Sequence, residues 1–68
     1  MTLGSYIRDT REAQGLKLQW VARQCGVSRQ TLWMWERDDR SPSMEQLVSL
    51  AGVLGLDGDT AVRLRGEG

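Results

Sequence analysis

Apolar residues recur along this chain at helical spacing, in five short runs separated by turn-forming residues, and no run shows the two-residue alternation of a strand. The first run, from about Leu3 to Gln14, sets Leu3, Ile7 and then Thr10 on one face; Thr2 is placed to cap its start and Gly15 to end it. The second runs from about Leu18 to Cys25. The third begins after Ser28, a good N-cap, and ends near Arg37. Asp38 and Asp39 then open a polar loop that passes through Arg40 and Ser41 to Pro42. The fourth helix has the clearest start, because Ser43 and Gln46 have capping-box spacing just after Pro42. Met44, Leu47, Leu50, Ala51 and Leu54 give it one apolar face, Gly55 stops it, and Leu56 can pack back on the core. A short fifth helix, about Asp59 to Leu64, follows Asp57 and Gly58, and Arg65 to Gly68 reads as a frayed tail. The expected fold is all-α, a compact bundle of about five short helices forming a single domain over residues 1–68, with no repeat, linker or low-complexity segment.

The second and third runs, LQWVARQCGVSRQTLWMWER from Leu18 to Arg37, carry the sharpest signal. Ala22 and Gly26 fall where two crossing helices need the least bulk, and Val21, Cys25, Val27, Leu32 and Trp35 supply apolar residues on the inward faces. Two short helices joined by a tight turn containing glycine make a helix-turn-helix, whose second helix is shaped to enter the major groove of DNA.

Composition narrows the alternatives. A chain of 68 residues buries only about 60% of its unfolded surface, so its stability margin is thin. Cys25 is the single cysteine, which rules out a disulfide within the chain. At an inward helical position it reads as a small core residue in a reducing compartment, with a regulatory thiol as the alternative. The chain has no His, no paired nucleophile and base, no glycine-rich phosphate loop and no metal-ligand cluster. An enzyme is therefore not expected, nor a metal or other cofactor. There is no apolar run long enough to span a membrane, and MTLGSYIRD lacks the charged start and long apolar stretch of a signal peptide, so a cytoplasmic location is expected. The nine basic and nine acidic residues cancel, which counts against DNA, since Lys and Arg on phosphates supply most of the affinity. Their distribution softens the objection. Arg8, Arg11, Lys17, Arg23, Arg29, Arg37 and Arg40 lie in the motif half, whereas Glu45, Asp57, Asp59 and Glu67 face only Arg63 and Arg65 in the other.

From Leu3 to about Leu56 the chain resembles the Cro/repressor-type, lambda-repressor-like (XRE-type) helix-turn-helix domains. The stretches LGSYIRDTREAQGL, VARQCGVSRQTLWMWER and RSPSMEQLVSLAGVLGL carry the likeness, most specifically Gly26-Val27-Ser28-Arg29 followed by Trp35-Glu36-Arg37. The resemblance implies a bacterial or phage-encoded regulator working at the nucleoid. It also implies an ion pair between Arg11 of the first helix and Glu36 at the end of the recognition helix, against the alternative of two independent surface charges. The same likeness places base-reading positions on Ser28, Arg29, Gln30, Trp33 and Met34. Arg29 can grip guanine O6 and N7 in a fork, and Gln30 can do the same for adenine N6 and N7. Contacts to the DNA backbone would come from Arg11, Lys17, Arg40 and Ser41, with main-chain N–H groups adding to them.

The chain also departs from the family pattern. Such domains usually begin the second helix with a Ser or Thr cap followed by Gln; here Lys17 and Leu18 stand in those places, and neither can make the corresponding hydrogen bonds. Trp33 and Met34 replace small or polar residues on the outward face of the recognition helix, and Trp20 replaces an outer residue of the second helix that is usually charged. Three explanations are open for the apolar surface: contact with thymine methyls, a protein-binding patch, or a slightly different facing that buries one of these residues. Asp38 ends the recognition helix where Gly or Asn is common, and with Asp39 it puts negative charge near the expected phosphate path.

Two functions follow. The first is a sequence-specific regulator that binds an operator in double-stranded DNA as a homodimer, with Val48 or Val53 and the stripe Ala61, Val62 and Leu64 as the candidate dimer surface; core closure is the alternative role for that stripe. The second is a protein-interaction module on the same fold, an antitoxin or repressor partner, that uses Trp20, Trp33 and Met34.

Overall fold

A computed structural model describes residues 1–67. Its elements are α1 (Leu3–Ala13), α2 (Leu18–Gln24), α3 (Arg29–Glu36), α4 (Met44–Leu54) and α5 (Gly58–Glu67), with no strand among the described residues. None of these helices is long and apolar enough to cross a membrane.

Local chemistry sets most of the boundaries. Ser43 Oγ accepts from Gln46 N at 3.1 Å while Gln46 Oε1 accepts from Ser43 N at 2.8 Å, closing the capping box at the start of α4. A second box, not expected from the sequence, starts α1: Thr2 Oγ1 accepts from Ser5 N and Ser5 Oγ from Thr2 N, with Ser5 in the place usually held by Glu or Gln. Lys17 makes no side-chain cap for α2, as its lack of an acceptor requires. At the start of α5 the Asp57 carboxylate accepts from the Thr60 N–H and hydroxyl, and those two bonds hold it below the usual carboxylate range.

Helices α1, α2 and α3 end in the same way. Past each end the chain turns through a left-handed residue, whose N–H and that of the residue after it bond back to carbonyls of the last turn. At the first two ends the left-handed residue is glycine, Gly15 and Gly26, and the turn at Gly26 is the one that joins the helix-turn-helix. At the third it is Asp38, with φ 62°.

The buried core is Leu3 and Ile7 of α1, Val21 and Ala22 of α2, Leu32 and Trp35 of α3, Leu47, Leu50 and Leu54 of α4, then Leu56 and Ala61. Each fully buried Leu, Ile or Val contributes about 1.5–3 kcal/mol, so this small set carries the fold. Cross-links then close the bundle: Gln14 Nε2 donates to the Leu54 carbonyl at 2.6 Å, and Asp57 N donates to the Tyr6 hydroxyl oxygen at 2.9 Å.

Two expectations for the C-terminal part need correction. The segment read as a frayed tail is helical through Glu67, and Arg65 Nε donates to the Pro42 carbonyl at 2.8 Å, which docks the last turn; Gly68 lies outside the described residues. The stripe Ala61, Val62 and Leu64 is not a single outward surface. Ala61 lies in the core, and Leu64, like Val53, is half-buried against it, so only Val62 and Val48 are exposed.

Candidate nucleic-acid interface

Helix α3 is fixed from two directions. Its inner side buries Leu32 and Trp35 against the core, together with the carboxylate of Glu36. Arg11 meets that carboxylate with a two-pronged contact, Nε to Oε2 at 2.7 Å and Nη2 to Oε1 at 3.0 Å, and its Nη1 donates to the Leu16 carbonyl at 2.9 Å. The pair ties α1 to the last turn of α3 and to the loop that leads into α2. The side chains are only 13% and 6% exposed, and the hydrogen-bonded carboxylate raises the Arg11 pKa. Three of the five guanidinium N–H donors of Arg11 are thus committed inside the protein.

The second fixation was not visible in the sequence. Asp38 is exposed, but its carboxylate is engaged inside the protein and is not a free charge beside a phosphate path. Its Oδ1 accepts from Gly4 N at 2.9 Å and its Oδ2 from the Thr2 hydroxyl at 2.6 Å. The carboxylate therefore caps the N-terminus of α1, where free N–H groups and the positive end of the helix favour an anion. This explains an aspartate in a left-handed position that glycine would fill at less cost. It also accounts for Gly4, because a Cβ there would sit 2.6 Å from the carbonyl oxygens of both Trp35 and Glu36. Helix α1 starts against the end of α3, with no room for a side chain between them. A signal was present in the polar, negatively charged residue at a helix C-terminus, but its partner lies 34 residues away.

With its inner side held, α3 presents Arg29, Gln30 and Trp33 outward, and these three line an open depression of about 350 Å³. Neither Arg29 nor Gln30 makes a side-chain hydrogen bond among the described residues. Ser28 precedes them with its Oγ engaged, accepting from Thr31 N at 3.1 Å and lying 2.9 Å from Thr31 Oγ1. Trp33 is 45% exposed and Trp20 47%, which matches their expected outward facing, whereas Met34 is half-buried outside the core cluster. The Arg37 guanidinium carbon lies 4.4 Å from the Trp33 ring centroid, and Arg37 Nε donates to Asp39 Oδ2 at 3.0 Å. Asp39 therefore has a partner in the protein, as Asp38 does.

Lys17, Arg40 and Ser41 are exposed, at the start of α2 and in the loop after α3. Cys25 is half-buried, and burial pushes its thiol pKa up, away from the thiolate that reactivity requires.

Known proteins share this arrangement. The P22 c2 repressor, whose structure was solved in complex with the synthetic operator 9T, superposes with a TM-score of 0.87 at 25% identity over 94% of this chain and 97% of that one. The N-terminal DNA binding domain of SinR from Bacillus subtilis gives a TM-score of 0.78 at 28% identity, over 88% of each chain. No curated protein sequence matches. The model of the family described as helix-turn-helix domain matches residues 2–64. With nearly its whole length inside that match, and a repressor and a DNA binding domain as structural neighbours, the chain belongs to the helix-turn-helix domain family, in its Cro/repressor-type branch.

Proposed function

We propose that this protein is a sequence-specific, DNA-binding transcriptional regulator that docks α3 in the major groove of an operator. The observation that carries the reading is the outer face of α3. Arg29 and Gln30 stand there side by side, exposed and without internal partners among the described residues, on a helix whose other side is locked. Such groups suit the edges of guanine and adenine. Ser28, Trp33 and Met34 complete the proposed base-facing set, and the operator complex of the similar P22 c2 repressor supports DNA as the ligand.

Lys17, Arg40 and Ser41 would meet phosphates, joined by the two donors that Arg11 has left over. The protein would act as a homodimer, with half-sites about 34 Å apart. Of the residues expected at the dimer contact, Val48 on α4 and Val62 on α5 are exposed and available for it.

The test is selection from a randomised duplex pool at physiological salt, followed by sequencing of what is retained. Enrichment of an inverted repeat is expected. No enrichment by folded protein would overturn the reading. Half-exposed Trp20 and Trp33 favour a second function, a protein-binding module. Replacing Trp33 and Met34 with Ser separates the two: a module loses its partner while any DNA affinity stays or rises, whereas a regulator binds its operator more weakly.

A further inference from the structure

We infer that Trp33 is a pre-positioned reader of the 5-methyl group of a pyrimidine in the major groove, and that Arg37 and Asp39 are the residues that position it. The inference rests on the DNA-binding reading above and deepens it. The depression on α3 combines two kinds of wall: Arg29 and Gln30 offer hydrogen bonds, and Trp33 offers a broad apolar surface. In the major groove the apolar group available to such a surface is the methyl on C5 of a pyrimidine, carried by thymine and by 5-methylcytosine.

An exposed indole would ordinarily sample several rotamers and lose entropy on contact. Here it is restrained by the protein. Arg37 lies one turn further along the chain, and its guanidinium covers the ring at 4.4 Å. That guanidinium is in turn held by Asp39 at 3.0 Å. The chain of contacts runs from the loop after α3 back to the reading face. It assigns Arg37 to the tryptophan in place of a phosphate, and it gives Asp39 a purpose in a region where negative charge would otherwise oppose DNA.

The experiment starts from the site obtained by selection and replaces each thymine with uracil in turn, which removes the methyl and nothing else. For the unaltered protein, a thymine position is expected at which affinity falls about four-fold, the effect of one methyl-sized apolar contact. Replacing a cytosine at the same position with 5-methylcytosine should restore part of what plain cytosine loses, which separates the methyl from the rest of thymine. In Trp33→Ser the difference between thymine and uracil should vanish. In Arg37→Ala it should shrink with no change in melting temperature, and Arg37→Lys should recover part of it, since a lysine can still lie over the ring. Sequence-specific binding with no methyl effect at any position would overturn the inference and leave the regulator reading standing. So would a methyl effect that survives Trp33→Ser. Failure to select any sequence would overturn both.

Discussion

The inner side of α3 places Leu32, Trp35 and Glu36 in the interior, whereas the outer side leaves Arg29, Gln30 and Trp33 in solvent. On the inner side the polar groups that meet α1 are matched: Glu36 by Arg11, and Asp38 by Thr2 and Gly4. On the outer side Arg29 and Gln30 stand idle. The difference separates two tasks that compete in a small domain. A reading face needs unsatisfied donors and acceptors, which do nothing for folding. The other face must then supply both stability and the fixed orientation that makes reading selective. Polar clamps suit the second purpose because hydrogen-bond geometry fixes register and angle more tightly than apolar contact does.

The comparison breaks most visibly if the inner side is cut. Arg11→Met leaves the Glu36 carboxylate buried without its counter-charge and removes the donor on the Leu16 carbonyl. A loss of about 3–5 kcal/mol is expected, the usual cost of removing one partner of a buried pair, and urea denaturation would measure it. Such a loss consumes much of the stability of a domain this size. Adding Glu36→Leu to the same variant should return a large part of the loss, because a buried ion pair and a well-packed apolar pair are often close in free energy. A double variant as unstable as Arg11→Met alone would mean that the pair itself stabilises the fold, not only the angle between α1 and α3.

Gly4→Ala tests the same junction by sterics alone. The added Cβ would meet two backbone oxygens at 2.6 Å, and backbone cannot swing aside as a side chain can. The expected destabilisation is about 3 kcal/mol, at the upper end for overpacking, read as a lowered denaturation midpoint. A variant as stable as the parent would show that α1 can slide away from α3 at little cost. The rigid seat argued for the reading helix would then be wrong.

These two residues differ in how legible they were. Arg11 and Glu36 are brought together as the family likeness implies, and the five helices stand close to where spacing and caps put them, because those signals are local. Capping boxes, glycine stops and helical periodicity act within a few residues, so a sequence displays them directly. The clamp from Asp38 to Thr2 and Gly4 joins the beginning of the chain to its middle, and the one local signal, an aspartate at a helix C-terminus, does not identify its partner. Gly4 inside α1 carries no local signal, because its reason lies in a different helix. The α5 boundary failed for a similar cause: Arg65 gains its partner from Pro42, far back in the chain, and that contact extends the helix beyond where periodicity stops. The outer face was legible in its facing, with Trp20 and Trp33 exposed, but the hold of Arg37 and Asp39 on Trp33 depends on rotamers that spacing does not determine.

The smallest effect on folding should come from the outer face, and there the comparison is sharpest. Gln30→Ala removes a side chain that makes no hydrogen bond among the described residues, so its stability should stay within about 0.5 kcal/mol of the parent. Its affinity for the selected operator should nonetheless fall by about 1–3 kcal/mol, with preference relaxed at one base pair while the others keep theirs. Lys17→Ala supplies the contrast within DNA binding: affinity should drop by a similar factor on all sequences alike, and the salt dependence should become shallower by about one unit of slope. Measuring both variants against the operator and a scrambled duplex at several salt concentrations separates reading from anchoring. If Gln30→Ala weakened both duplexes equally and flattened the salt slope, Gln30 would be an anchor and base selection would fall to Arg29 and Trp33. If it unfolded the protein instead, the division between a structural inner face and a free outer face would not hold for α3.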